Sequence, residues 1–173
     1  MLMQSDSQCN ECWCLNHREP AGCPTGVEAK NKMNSLVDQT TAHGLLAYED
    51  NQPVGWIAID PMSCLIGHDC QSSGKTDEWS IHCLYIKEKF RGKGLSVQLI
   101  DAAIKYATTN GAKIISAFPI PLENREKFPA NEAEFSGRFS TYSKLGFKPD
   151  GVGSKFYQRV ELNVGELGAR VLY

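Results

Sequence analysis

Two glycines and two basic residues stand together in Phe90-Arg91-Gly92-Lys93-Gly94-Leu95-Ser96. Glycine has no Cβ, so a ligand can come close to the main chain there. Beyond the segment, Leu95, Leu99, Ala102, Ala103 and Tyr106 recur at helical spacing, which makes it a helix start. The first amides of a helix have no intrahelical acceptor and lie at the positive end of its dipole. Such a turn suits a phosphate or pyrophosphate, and Arg91 and Lys93 add to its pull on an anion. Two common phosphate motifs do not fit. The dinucleotide fingerprint fails because no third glycine follows Gly94, and a P-loop fails because Leu95 stands where Lys-Ser/Thr is needed. Gly74-Lys75-Thr76 comes nearer, but Asp69 replaces the first P-loop glycine and no strand precedes it.

Titratable residues form a second set. His82 lies in Trp79–Ile86, a run of β-branched and aromatic residues that reads as a buried strand. In an unbroken strand it shares one face with Ser80 and Leu84. A neutral histidine there is either a proton acceptor near pH 7 or an interior hydrogen-bonding group, and the sequence leaves both open. Glu78 is a second carboxylate on the strand. Tyr142 falls among Phe135 and Phe139, so by spacing alone it is a core aromatic. Cys9, Cys12 and Cys14, with His17 beyond, have the residue types of a zinc site but lack a separated second ligand pair. The other reading is a first strand from Gln8 to Arg18 with Cys12 and Cys14 on one face. With an odd count of seven cysteines, reduced and mostly buried thiols are expected, without a metal.

The elements that position these groups can be read in chain order. A helix from Pro24 or Thr25 to about Gln39 precedes a hairpin of His43–Glu49 and Val54–Ile59, joined across Asp50-Asn51-Gln52-Pro53. A polar segment over 61–77 leads to the Trp79–Ile86 strand and the helix ending at Asn110-Gly111. A strand over Lys113–Phe118, a helix over Ala133–Leu145 and two strands near Phe147 and Ser154–Leu162 complete the pattern. The order predicts a mixed sheet flanked by helices in a single domain over 1–173. One parallel β-α-β unit surrounds the central helix, and its crossover should be right-handed.

Composition narrows the class. At 173 residues, 42% hydrophobic and 22% charged, the chain is an ordinary globular protein. The formal net charge of −2 argues against a general nucleic-acid binder. No apolar run approaches the ~20 residues of a membrane span, and Met1–Asp6 lacks the features of a signal peptide, so a cytoplasmic protein is expected.

Arg91, Gly94 and Ser96 form R-x-x-G-x-S, which resembles the Q/R-x-x-G-x-G/A pyrophosphate loop of the GNAT superfamily of N-acetyltransferases. Ser96 departs at the last position but is small enough to fit. Downstream, Tyr142-Ser143-Lys144-Leu145-Gly146-Phe147 resembles the Y-x-K-L-G-F ending of the GNAT core, one strand and one helix beyond the loop. The likeness covers about Gly44 to Phe147. The Cys-Trp-Cys start and Phe135-Ser136-Gly137 also resemble a little-characterised bacterial subgroup. Many members carry an asparagine seven residues before the tyrosine. Phe135 stands there, so a contact from that side chain is absent or left to Ser136.

The resemblance implies a GNAT-like, mostly antiparallel sheet of six to seven strands with a splayed central parallel pair. It implies acetyl transfer from acetyl-CoA to a primary amine by direct attack, on a small molecule or a protein. The turn residues Arg91, Gly92, Lys93, Gly94, Leu95 and Ser96 would hold the CoA pyrophosphate. The backbone of Leu84, Tyr85 and Ile86 would pair with the pantetheine arm as an added strand. Tyr142 matches the tyrosine assigned as general acid, and His82 lies where some members carry a histidine base. Glu78 is the reserve base, and Glu132 or Glu134 a recognition group for a cationic amine. The second reading is a catalytically silent sensor of acyl-CoA or a metal. The acceptor and the oligomeric state, a homodimer included, are left open.

Overall fold

The computed structural model describes residues 13–18, 24–66, 74–121, 124, 135–153 and 157–166. Six strands form one sheet in the order β1-β2-β3-β4-β6-β5. They are β1 Gly44–Glu49, β2 Gln52–Pro61, β3 Glu78–Ile86, β4 Ile114–Ala117, β5 Lys148–Gly153 and β6 Gln158–Asn163. The helices with described bounds are α1 Gly26–Asp38, α2 Leu95–Thr109 and a short α3 Phe139–Lys144. All neighbouring strands run antiparallel except β3 and β4, which are parallel because α2 carries the chain across the sheet between them. The mixed, mostly antiparallel architecture expected from the sequence is present.

Local chemistry explains the hairpin. Asp50 and Asn51 have φ of +48° and +60°, the double left-handed turn whose twist matches two antiparallel strands. Strand β3 is central and buried along both faces, so its sequence is a continuous apolar run rather than an alternation. On one face, Ile57, Ile59, Trp79, Ile81 and Leu84 pack against Leu99, Ile100, Ala103 and Ile104 of α2, with Tyr142 and Phe147. On the other, Ala58, Cys83 and Tyr85 pack against Ala29 and Met33 of α1 and against Trp13, Cys14 and Leu15. The site is built where these two cores meet β3.

Two expected elements differ. Residues 13–18 form a turn rather than a strand. Cys14 has φ +58°, and the Arg18 amide bonds the Leu15 carbonyl at 2.8 Å. The remainder of that expected strand, with Cys9 and Cys12, lies outside the described residues. The helix expected over 133–145 is interrupted: Phe135 is helical, 136–138 are not, and a short helix resumes at Phe139, while 133–134 lie outside the described residues. Gly137 has φ +74°, and a Cβ there would meet the Tyr142 ring at 3.0 Å and its hydroxyl at 3.2 Å. Arg138 then bridges Ile120 instead of continuing a helix. Phe135 therefore stacks on Tyr85 in the α1 core, while Phe139 packs in the α2 core.

Candidate active site

The Gly-rich turn is open. Gly92 and Gly94 have φ of +76° and +83°, and a Cβ on either would meet nothing within 4 Å. Glycine is needed here for the left-handed backbone, not for want of room. Gly94 caps α2, and no side chain satisfies the cap. The first amide of the helix to find a backbone acceptor is that of Val97, which bonds the Gly94 carbonyl at 3.0 Å. The amides of Leu95 and Ser96 point out of the helix start with the positive end of its dipole. Arg91 braces the turn by donating from Nε to the Ile86 carbonyl at 2.8 Å. Lys93 is exposed, its ammonium 5.5 Å from the centre of the Phe90 ring.

Strand β3 leads into this turn, and its pairing changes along its length. The parallel ladder to β4 runs only from Glu78↔Ile114 to Ile81↔Ala117. The antiparallel ladder to β2 continues to Gly55↔Ile86. Leu84, Tyr85 and Ile86 therefore lie beyond the last rung with β4, on the stretch of β3 next to the turn. That is the splay implied by the resemblance. The register with β2 also slips: Ala58 pairs Cys83 and Ile59 pairs Ile81, which leaves His82 as the extra residue of a bulge. The bulge breaks the alternation read from the sequence. His82 turns to Asp60, the register partner of Ser80, whereas Leu84 packs on the α2 face.

His82 enters a buried polar cluster. Its Nε2 lies 2.8 Å from Asp60 Oδ2, and its side chain is fully buried. Asp60 Oδ2 also accepts from Arg18, and its Oδ1 accepts from the His43 amide at 2.8 Å and from His43 Nδ1 at 2.9 Å. Arg18 donates further to the Cys14 and His43 carbonyls at 2.9 and 3.2 Å. Burial on its own would raise the Asp60 pKa. The His82 hydrogen bond and the Arg18 guanidinium outweigh burial and bring it down to about 2, so Asp60 is a carboxylate. Burial takes the His82 pKa down to about 4, aided by Arg18 and His17 and opposed by the bond to Asp60. His82 is a neutral imidazole at physiological pH, and its buried Nδ1 has no hydrogen-bond partner among the described residues.

Tyr142 is 1% exposed, its ring edge-on to Phe147 at 5.2 Å and its hydroxyl beside Gly137. Burial pushes its phenol well above the ordinary value, and the nearby Cys83 adds to that. Cys83 Sγ lies 2.9 Å from Cys14 Sγ. The Ser136 hydroxyl is buried without a partner. Glu78, the reserve base, is engaged by the buried Arg159 at 2.5 Å. Glu132 and Glu134 lie outside the described residues, among which no group of metal-ligating side chains is assembled. The sequence pattern singles out neither Asp60 nor Arg18, and it reads His43 as an ordinary residue at a strand edge. Asp60 ends an apolar strand, where a lone carboxylate reads as a boundary, and its partners are 17 to 42 residues away.

The acetyltransferase (GNAT) family model matches residues 11–126 of the chain. An uncharacterised N-acetyltransferase of Methanocaldococcus jannaschii is 28% identical over 99 residues, which are 57% of this chain and 36% of that protein. The match thus spans little more than a third of that relative. Among solved structures, ribosomal-protein-alanine N-acetyltransferase of Brucella melitensis has a TM-score of 0.57 at 17% identity, covering 82% of this chain and 80% of that one. The PaiA N-acetyltransferase of Thermoplasma acidophilum in complex with coenzyme A has a TM-score of 0.54 at 17% identity, with 78% and 70% covered. An acetyltransferase of Salmonella typhimurium with acetyl-CoA has a TM-score of 0.52 at 18% identity, with 78% and 73% covered. At these identities the likeness to solved structures is one of fold.

Proposed function

Because the chain belongs to the acetyltransferase (GNAT) family, we propose that it transfers an acetyl group from acetyl-CoA to a primary amine by direct attack. The observation that carries this reading is the open, left-handed Gly92-Lys93-Gly94 turn at the start of α2, contiguous with the stretch of β3 beyond β4. The turn offers amides and basic side chains to a pyrophosphate, and the Leu84–Ile86 backbone offers a strand edge to an amide-bearing arm. Structures of fold relatives hold coenzyme A in one case and acetyl-CoA in another. Bound here, acetyl-CoA supplies an activated acetyl thioester.

The chain's own side chains handle protons. His82 is neutral above about pH 4 and offers Nδ1 to the proton that the neutral amine's nitrogen loses as it bonds to the acetyl carbon, directly or through a water. Tyr142 serves the departing sulfur. A thiolate of pKa about 8.5 is a weaker base than a phenolate whose pKa lies above about 10. Tyr142 Oη therefore acts by donating a hydrogen bond to the developing negative charge rather than by surrendering its proton early. The unpartnered Ser136 hydroxyl is available to the thioester region in place of the asparagine that Phe135 replaces.

The test is thiol release from acetyl-CoA across a panel of small amines and N-terminal peptides. Turnover is expected with at least one acceptor, and Tyr142→Phe should lower kcat roughly 100-fold by removing that hydrogen bond to the developing charge. Full turnover in Tyr142→Phe would overturn the role given to that phenol. Tight CoA binding with no turnover on any amine would favour a silent acyl-CoA sensor.

A further inference from the structure

We propose that Asp60 is a positioning residue for His82: it holds the imidazole in the Nε2–H form, so that the basic lone pair is at Nδ1. This rests on the reading of His82 as the base. The argument begins from donors and acceptors. Oδ2 of an ionised carboxylate lies 2.8 Å from Nε2 and can only accept there. A lone pair on Nε2 would face a lone pair on Oδ2, while the proton would sit on Nδ1, which has no acceptor. Both penalties vanish when Nε2 carries the proton. An unsatisfied buried donor keeps its full desolvation penalty, which settles the tautomer.

The carboxylate is itself held from two sides. Arg18 donates to the oxygen that His82 uses, and the backbone and ring of His43 donate to the other. Asp60 thus cannot rotate away without leaving a buried guanidinium uncompensated. The arrangement resolves a conflict in the site. A fully buried imidazole resists taking a proton, and an adjacent carboxylate lessens that resistance on the ring nitrogen opposite the one that reacts. The bulge at His82 is what turns the side chain toward Asp60, so the positioning depends on the slip between β2 and β3.

The experiment combines histidine ring 15N NMR on the whole protein with steady-state kinetics, using acetyl-CoA and the best amine of the panel. In the wild type, His82 should show a protonated Nε2 and an unprotonated Nδ1. Asp60→Asn should raise the Nδ1–H population and lower kcat at least tenfold, with KM for acetyl-CoA changed less than twofold. His43→Gln disturbs the same carboxylate without removing the bond to His82, so it should keep the tautomer and lose less kcat than Asp60→Asn. A wild-type spectrum with Nδ1 protonated overturns the proposal, and this measurement stands even where Asp60→Asn fails to fold. Full turnover in Asp60→Asn, with His82→Gln inactive, sinks the role of Asp60 and leaves the base reading intact. Full turnover in His82→Gln sinks both.

Discussion

The turn at the start of α2 and the cluster around Asp60 both gather polar groups, but by opposite means. The turn is local: adjacent residues, two left-handed glycines and a helix start present amides to the outside. Its groups remain solvated until a ligand replaces water, so it asks little of the rest of the fold. The Asp60 cluster is assembled from β2, β3, the residue before β1 and the turn at 13–18, and its Arg18, Asp60 and His82 side chains are buried while His43 closes it at the rim. Taking charges out of water costs several kcal/mol per ion, which only well-placed partners offset. Cofactor recognition can therefore rest on main chain at the surface. The proton chemistry proposed for His82, which needs one nitrogen in one protonation state, would depend on long-range packing.

The contrast is sharpest in stability. Asp60→Ala strips Arg18 of its buried partner and should cost about 3–5 kcal/mol in urea unfolding, whereas Lys93→Ala should stay within about 0.5 kcal/mol. A loss under about 1 kcal/mol for Asp60→Ala would mean the cluster is not tightly closed.

Next is acid sensitivity. The folded His82 pKa of about 4 lies below its ordinary 6.5. As pH falls through that interval the unfolded chain binds a proton that the folded chain refuses, so stability is full above pH 6.5 and declines toward pH 4. The decline from this group is about 3 kcal/mol. Asp60, ionised down to about pH 2 when folded, extends the loss below its ordinary 3.8. His82→Gln should flatten the stability curve between pH 6.5 and 4. An unchanged slope would show that another group is responsible.

A smaller effect than either loss in the Asp60 cluster is expected at the turn backbone. A Cβ at position 94 meets nothing, so Gly94→Ala should cost only the left-handed backbone strain, about 1 kcal/mol. Its effect on ligand binding should be greater, weakening CoA about tenfold in isothermal titration because the methyl projects where the anion approaches. Unaltered CoA affinity would separate the turn from the cofactor site.

These differences track what could be read in advance. From α1 onward the chain order of elements, the hairpin, the central strand and the helix start were legible, because they depend on neighbours in sequence. The turn and the Tyr142–Phe147 segment carried the family resemblance for the same reason. The helix expected before Tyr142 is broken at 136–138, because close packing of Gly137 on the tyrosine outweighs helical spacing. The expected face for His82 was altered by a bulge, which leaves no mark in the alternation of apolar residues.

By itself the sequence determined the class of fold, the phosphate-suited turn and the residue types available for proton transfer. Those follow from backbone conformational preference and from the periods of strand and helix. Tertiary structure decided which groups meet: that β3 outruns β4 beside the turn, that Glu78 is engaged by Arg159, and that His82 faces Asp60 rather than Leu84. A buried carboxylate takes its meaning from the donors folded around it. Here the side-chain donors come from residues 17, 22 and 42 positions away.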